Sequence, residues 1–299
     1  MPMKLPRRRL PIFLFFALAL LIALVGFRVS SDTSAVKLLH TEPSMFGSVV
    51  VFEQYGERCM NFNEVENMGR QTCFQLNDPD KMVFAYTRMM ASALLAKPEP
   101  SSILIIGLGG ATLPVALHKL LPDTVIDTVE IDPAVVRVAQ RFFSYETGPN
   151  QRVHVEDGRA FVEQAQRDGR QYDIVMLDAF DVDYIPAHLL TLEFLQQVRA
   201  ILAPDGLVAA NSFTRSHMYA RESATYAAVF GDFFNLRSGL EGNRVIIASP
   251  AALPDEAVLE RNADLLAARL RPFGIDTQWA LARISTADGK EQSADVLRD

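Results

Sequence analysis

From Ser101 onward, apolar runs with no polar alternation take turns with amphipathic stretches. SSILIIGL, VIDTVEID, RVHVED and YDIVMLDAF read as strands, and ATLPVALHKLL, PAVVRVAQRFF, GRAFVEQAQRDG and HLLTLEFLQQVRAIL as the helices between them. Pro133 stands where a first helical turn tolerates it. Farther on, GLVAANSF and RVIIASP read as strands, and ESATYAAVFGDF and EAVLERNADLLAARLRPFG as helices. Strands apolar throughout need cover on both faces, and strands joined by helices run parallel. The chain is therefore expected to be an α/β protein built on a mainly parallel sheet, with ligands at the carboxyl ends of its strands.

Those strand ends carry the chemistry. Gly107-Leu-Gly109-Gly110 follows SILII directly and precedes a helix, so the backbone can turn tightly and present helix N–H groups to a ligand. Leu113 stands where the third glycine of a full dinucleotide fingerprint belongs. Glu130 ends the next strand, 23 residues beyond Gly107, where an acid takes two ribose hydroxyls. Asp157-Gly158 follows RVHVE, and Asp157 can accept from an adenine amino group. Asp178 closes DIVMLD, with Asp181 and Asp183 beyond it. A carboxylate there faces the cofactor crevice and can hold an amine or take its proton. The rival readings are a tight connection, a turn residue and a solvated acidic loop.

Ahead of this region, residues 48–76 hold short Val-, Phe- and Tyr-rich runs bracketed by Asn and Gly, which read as a few antiparallel strands. A sheet this small needs support from a neighbour. Cys59 and Cys73 flank its turn; they are two small core residues under reducing conditions and a disulfide outside them. MVFAYTRMMASALLAKPEP is then an amphipathic helix stopped by Pro98 and Pro100. Neither C-x-x-C nor the His/Cys spacing of a structural zinc site occurs, so no metal is expected. A net charge of −7 offers no general attraction to nucleic acid.

Residues 1–9 carry Lys4, Arg7, Arg8 and Arg9, and the 18 residues from Leu10 to Phe27 have no charge. At about 1.5 Å per residue the run makes a helix near 27 Å long, at the short end of what crosses a bilayer. The expectation is a single transmembrane anchor at 10–27. A cleaved signal peptide is the rival, although GFRVSSDTSA supplies only a poor cleavage site. The positive-inside rule then places the protein in the inner membrane with its C-terminal domain in the periplasm.

The ordered motifs Ile106-Gly107-Leu-Gly109-Gly110, VEIDPAVV, EDGRAF, YDIVMLDAFD, IPAHLLTLEF and LAPDGLV, over residues 45–250, resemble the spermidine synthase (polyamine aminopropyltransferase) family, and most closely its divergent, often membrane-linked branch. The resemblance implies an α/β, Rossmann-like domain of the AdoMet-dependent methyltransferase type with a small N-terminal β-domain. With the anchor this gives a basic tail (1–9), a transmembrane helix (10–27), a linker (28–44), a β-domain (45–77) and a nucleoside-binding transferase domain (78–299). It also implies that Gly107, Gly109 and Gly110 pass under a nucleoside sulfonium, that Glu130 holds its ribose, and that Asp157 and Gly158 receive the adenine. Asp178 would orient and deprotonate the attacking amine, and Asp181 would belong to the acceptor pocket. Tyr86 falls near a polyamine-holding tyrosine, and Gln71 near a glutamine at the cofactor end of the β-domain.

The activity so implied is aminopropyl transfer from decarboxylated S-adenosylmethionine (AdoMet) to a diamine such as putrescine. The donor is a co-substrate, no cofactor is tightly bound, and a homodimer is the assembly the resemblance suggests. Two departures keep alternatives open. Gly110 replaces the family's loop aspartate, and Thr87-Arg88 replaces the His-Glu that follows its tyrosine. Both would tolerate the carboxylate of ordinary AdoMet, as a methyltransferase of small amines requires. A membrane-tethered protein that binds a nucleoside or polyamine without chemistry is the third reading.

Overall fold

A computed structural model of the chain describes residues 35–64, 70–179, 185–238, 242–287 and 294–299. Two sheets organise it. The first is an antiparallel meander in chain order: β1 (Lys37–Ser44), β2 (Gly47–Gln54), β3 (Glu57–Phe62), β4 (Thr72–Gln75) and β5 (Asp78–Met82). The period of two along β2 sorts its side chains. Val50 and Phe52 join Cys59 and Cys73 on one face, while Val49 and Val51 pack on α3 (Pro133–Phe142) through Val135 and Val138. That contact supplies the support so small a sheet requires. Cys59 and Cys73 sit directly opposite one another in β3 and β4 and form a disulfide. β1 occupies part of the stretch expected to be linker, held by its ladder to β2 and by an ion pair from Lys37 to Glu53.

The second sheet has eight strands in the order β13-β11-β12-β10-β9-β6-β7-β8. β6 (Ser102–Ile106), β7 (Val125–Glu130), β8 (Gln151–Val155), β9 (Tyr172–Leu177) and β10 (Leu202–Phe213) are parallel. β12 (Asn243–Ala248), β11 (Phe233–Arg237) and β13 (Ile284–Thr286) extend the sheet antiparallel at one edge. Helices cover both faces. Ile103 and Ile105 of β6 point toward α1 (Ala85–Ala91), α2 (Thr112–Leu120) and α7 (Glu256–Leu270). Leu104 and Ile106 point toward α4 (Gly158–Arg167), α5 (Leu192–Ala200) and α6 (Tyr219–Phe230). A strand buried on both sides explains the unbroken apolar run SILII.

β6 neighbours β7 on one side and β9 on the other. The chain crosses in opposite directions from this strand, and the crevice that opens at its carboxyl end is where ligands of such sheets bind.

Within the described residues the fold corrects the expectation of a transmembrane helix. Among the described residues no helix is long and apolar enough to cross a membrane. The longest, α7, has 15 residues, or about 22 Å of helix against about 30 Å of hydrocarbon, and carries charges along its length. Residues 10–27 lie outside the described residues. The described architecture is thus the Rossmann-like α/β domain with its N-terminal β-sheet, and it contains no membrane-spanning helix among the described residues. The described residues give the inner membrane as partner and location, and the periplasmic placement derived from it, no membrane-spanning helix to rest on.

Near the sheet's antiparallel edge, Arg244 of β12 and Glu222 of α6 form a buried ion pair at 2.7 Å, with side chains 0% and 4% exposed. Arg244 also donates to Ser223 Oγ at 2.8 Å and lies 3.7 Å over the Tyr219 ring. Removing one member of such a pair strands the other's charge. Arg244→Met should therefore lower the unfolding free energy by about 3–5 kcal/mol, and adding Glu222→Leu should restore most of it. Urea unfolding of the two variants tests this; equal losses in the single and double variants would refute it.

Candidate functional site

The carboxyl ends of β6, β7, β8 and β9 open onto one cavity of about 330 Å³, roofed by the β-domain and α1. This is within the size range of small-molecule sites, about 300–1,000 Å³. Gln71, Tyr86, Gly107, Gly109, Glu130, Asp157, Gly158 and Asp178 all line it. Asp181 lies outside the described residues.

Gly107 follows β6 with φ +102°, and a Cβ there would fall 2.4 Å from the carbonyl oxygen of Asp178. The close passage of these two strand ends admits only glycine. Gly110 does not line the cavity. Its N–H donates to Thr72 Oγ1 at 3.1 Å, and a Cβ would meet Thr72 Cγ2 at 2.2 Å. A β-domain threonine thus fills the space beside the glycine loop.

The Glu130 carboxylate turns back toward the loop. Oε2 accepts from Leu108 N and Oε1 from Asp132 N, both at 3.0 Å. Burial pushes its carboxyl up, against these backbone donors. The Gly109 N–H also reaches this carboxylate, and of its roughly four acceptor sites one stays open to a further donor. Asp157 caps α4, its Oδ1 accepting from Arg159 N and Ala160 N at 2.9 and 3.0 Å, while Oδ2 meets His188 Nε2 at 3.0 Å. Burial acts to raise its carboxyl, but the Ala160 N–H and His188 outweigh that and hold it below the usual range.

Asp178 is the most perturbed carboxyl in the cavity. Burial pushes it up to about 7, against a 2.9 Å hydrogen bond from Asn211 Nδ2 to its Oδ1. Tyr86, half-buried, is pushed well above its ordinary value by desolvation and by the nearby Asp178 charge, so its hydroxyl keeps its proton.

Five carboxylates line the cavity, from Glu130, Asp132, Glu156, Asp157 and Asp178; among the described residues no Lys or Arg does. The cation expected from Arg88 is elsewhere. Its Nη1 donates to the carbonyls of Met82 and Val83 at 2.6 and 2.9 Å, tying the end of β5 to α1. Reading the sequence missed Thr72, His188 and Asn211. Asn211 left a trace there, as an amide in the apolar run GLVAANSF.

The Spermine/spermidine synthase domain matches residues 83–233. The chain is 41% identical over 291 residues to a polyamine aminopropyltransferase of Vibrio vulnificus, covering 97% of this chain and 96% of that protein. A probable spermidine synthase from Corynebacterium glutamicum shares its fold at TM-score 0.68 and 20% identity, over 87% of this chain and 96% of that one. Human methyltransferase-like protein 13, solved in complex with SAH, matches at TM-score 0.58 and 26% identity, over 63% of this chain and 93% of that one.

The raised Asp178 carboxyl has a stability consequence of definite sign. Between its ordinary 3.8 and about 7, the folded protein holds a proton that the unfolded chain has lost, so stability declines as pH rises through this window. Above it the buried charge costs up to about 4 kcal/mol. Asp178→Asn should therefore be nearly neutral at about pH 4 and raise the melting temperature at about pH 8. A change of equal size at both pH values in thermal unfolding would contradict this.

Proposed function

We propose that this chain, which belongs to the spermine/spermidine synthase family, transfers an aminopropyl group from decarboxylated AdoMet to a small diamine such as putrescine. That it is an enzyme of the aminopropyltransferase family follows from the family match and the long, 41% identical relative. One observation carries the choice of donor and acceptor: five carboxylates line the cavity, and no lysine or arginine among the described residues does. Such a lining favours ammonium groups on both substrates and offers no lysine or arginine to the carboxylate of ordinary AdoMet.

The residues fit a nucleoside sulfonium. Gly107 and Gly109 bring the backbone itself to the cavity wall at the end of β6, Glu130 has acceptor capacity left for a ribose hydroxyl, and Asp157 and Gly158 stand at the nucleobase end. Decarboxylated AdoMet supplies a carbon activated by its sulfonium, which leaves as the neutral thioether when the amine nitrogen bonds to that carbon. An aliphatic amine ordinarily holds its proton up to about pH 10. Asp178, with its carboxyl at about 7, accepts that proton at neutral pH and stabilises the positive charge growing on nitrogen. Tyr86 remains a neutral hydroxyl and orients the amine beside Asp178. Gln71 closes the cavity from the β-domain.

Two measurements test this reading. By calorimetry, Glu130→Ala should weaken binding of adenosine-containing ligands about ten- to hundredfold while leaving the melting temperature nearly unchanged. Unchanged affinity would remove Glu130 from the site. By mass spectrometry, decarboxylated AdoMet with putrescine should yield an amine heavier by one aminopropyl unit. Asp178→Asn should slow its formation at least ~100-fold and shift donor affinity less than ~10-fold. A product heavier by one methylene, formed only from AdoMet, would establish methyl transfer instead. Donor binding with no product from any amine would establish a binding protein.

A further inference from the structure

Asn211 lies in the middle of the fold, 3% exposed, on the strand beside β9. Its Nδ2 donates to Asp178 Oδ1 at 2.9 Å, and its Oδ1 accepts from Asn243 Nδ2 at 3.2 Å. The antiparallel register pairs Asn211 with Val245, so Asn243, two residues earlier on β12, is its diagonal neighbour on the same face. This second bond gives the first its direction. Were Asn211 alone turned over, two amide donors would face each other, and its oxygen would face a carboxylate oxygen.

Among the described residues Asp178 has little else to sustain a charge. From α1 it faces the Tyr86 hydroxyl, and after β6 the Gly107 backbone. Glu222 and Arg244 neutralise one another, and Glu222 engages Ser212 rather than Asn211. A buried carboxylate with one strong donor depends on it both for rotamer and for charge.

We propose that Asn211, oriented by Asn243, is the positioning residue of the transfer: its amide occupies Asp178 Oδ1, leaves Oδ2 to the cavity, and stabilises the ionised carboxylate that receives the amine proton. The inference rests on the reading of Asp178 as the proton acceptor. It adds that the working pH of the site is set by two asparagines from β10 and β12, strands that supply no residue to the described cavity lining.

The test follows the Asp178 carboxyl by NMR in the full chain with carboxyl-labelled aspartate, assigned by the signal lost in Asp178→Asn; neither donor nor amine is needed. Asn211→Leu keeps the volume and removes the donor. The Asp178 titration should move up by about one to two pH units, the equivalent of a charge-assisted hydrogen bond. Asn243→Ala, a milder change at a half-buried strand end, should move it the same way by less. In turnover, the acid limb of kcat/KM should shift upward with the titration, so that activity lost near neutrality returns at higher pH, while donor affinity stays within about threefold. An unmoved titration in both variants, or a loss of turnover equal at every pH, would overturn the proposal. A moved titration in a protein whose wild type makes no transfer product would support the hold on Asp178 and overturn the transfer reading instead.

Discussion

Everything at the site depends on β6 having parallel neighbours reached in opposite directions. A sheet that only grew outward in one direction would place successive strand ends in a row, with helices closing over each. Because β7 and β9 flank β6, the helices following them diverge, and Gly107, Glu130 and Asp178 come together around the gap. Gly107 is the tightest point of that arrangement, since a side chain there would strike the Asp178 backbone.

The second constraint is electrostatic. A carboxyl buried beside apolar strands prefers to be neutral, and Asp178 at about 7 stands near the balance between burial and the single amide that opposes it. The fold gives up stability above that pH to keep a carboxylate in an apolar setting, as active sites commonly do. The other carboxylates are managed differently. Glu130 spends its inner lone pairs on the glycine loop, and Asp157 spends one oxygen capping a helix. These bonds fix their rotamers before any ligand arrives, which lowers the ordering cost of binding.

The β-domain is a working part of the cavity. Gln71 and Thr72 reach it from the edge of β4, next to the disulfide that pins β3 to β4, and Ser44 and Met45 N from the first hairpin both engage Asp132. Asp132 in turn caps α3 and donates its N–H to Glu130. The roof and Glu130 are thereby part of one hydrogen-bonded unit. Thr72 also accounts for a glycine at position 110, because the volume a side chain would need there is already filled from the other sheet.

Local order along the chain was enough for the alternation of strand and helix, hence the parallel sheet, and for the placement of Gly107, Glu130, Asp157 and Asp178 at strand ends. Each of those is a statement about neighbours within a few residues: an apolar run, then a turn, then a polar group. Contacts between distant residues were not legible. Nothing near Arg88 in the chain says that its guanidinium turns to the carbonyls of β5 and away from the cavity. Nor does anything near Thr72, His188 or Asn211 say that the glycine loop, Asp157 and Asp178 will meet them across 38, 31 and 33 residues. The sequence by itself therefore determined the class of fold and which end of the sheet would hold chemistry, through periodicity and backbone conformation. Only the tertiary structure decided the charge state and orientation of the groups there, because burial and hydrogen-bond partners are set by which strands become neighbours.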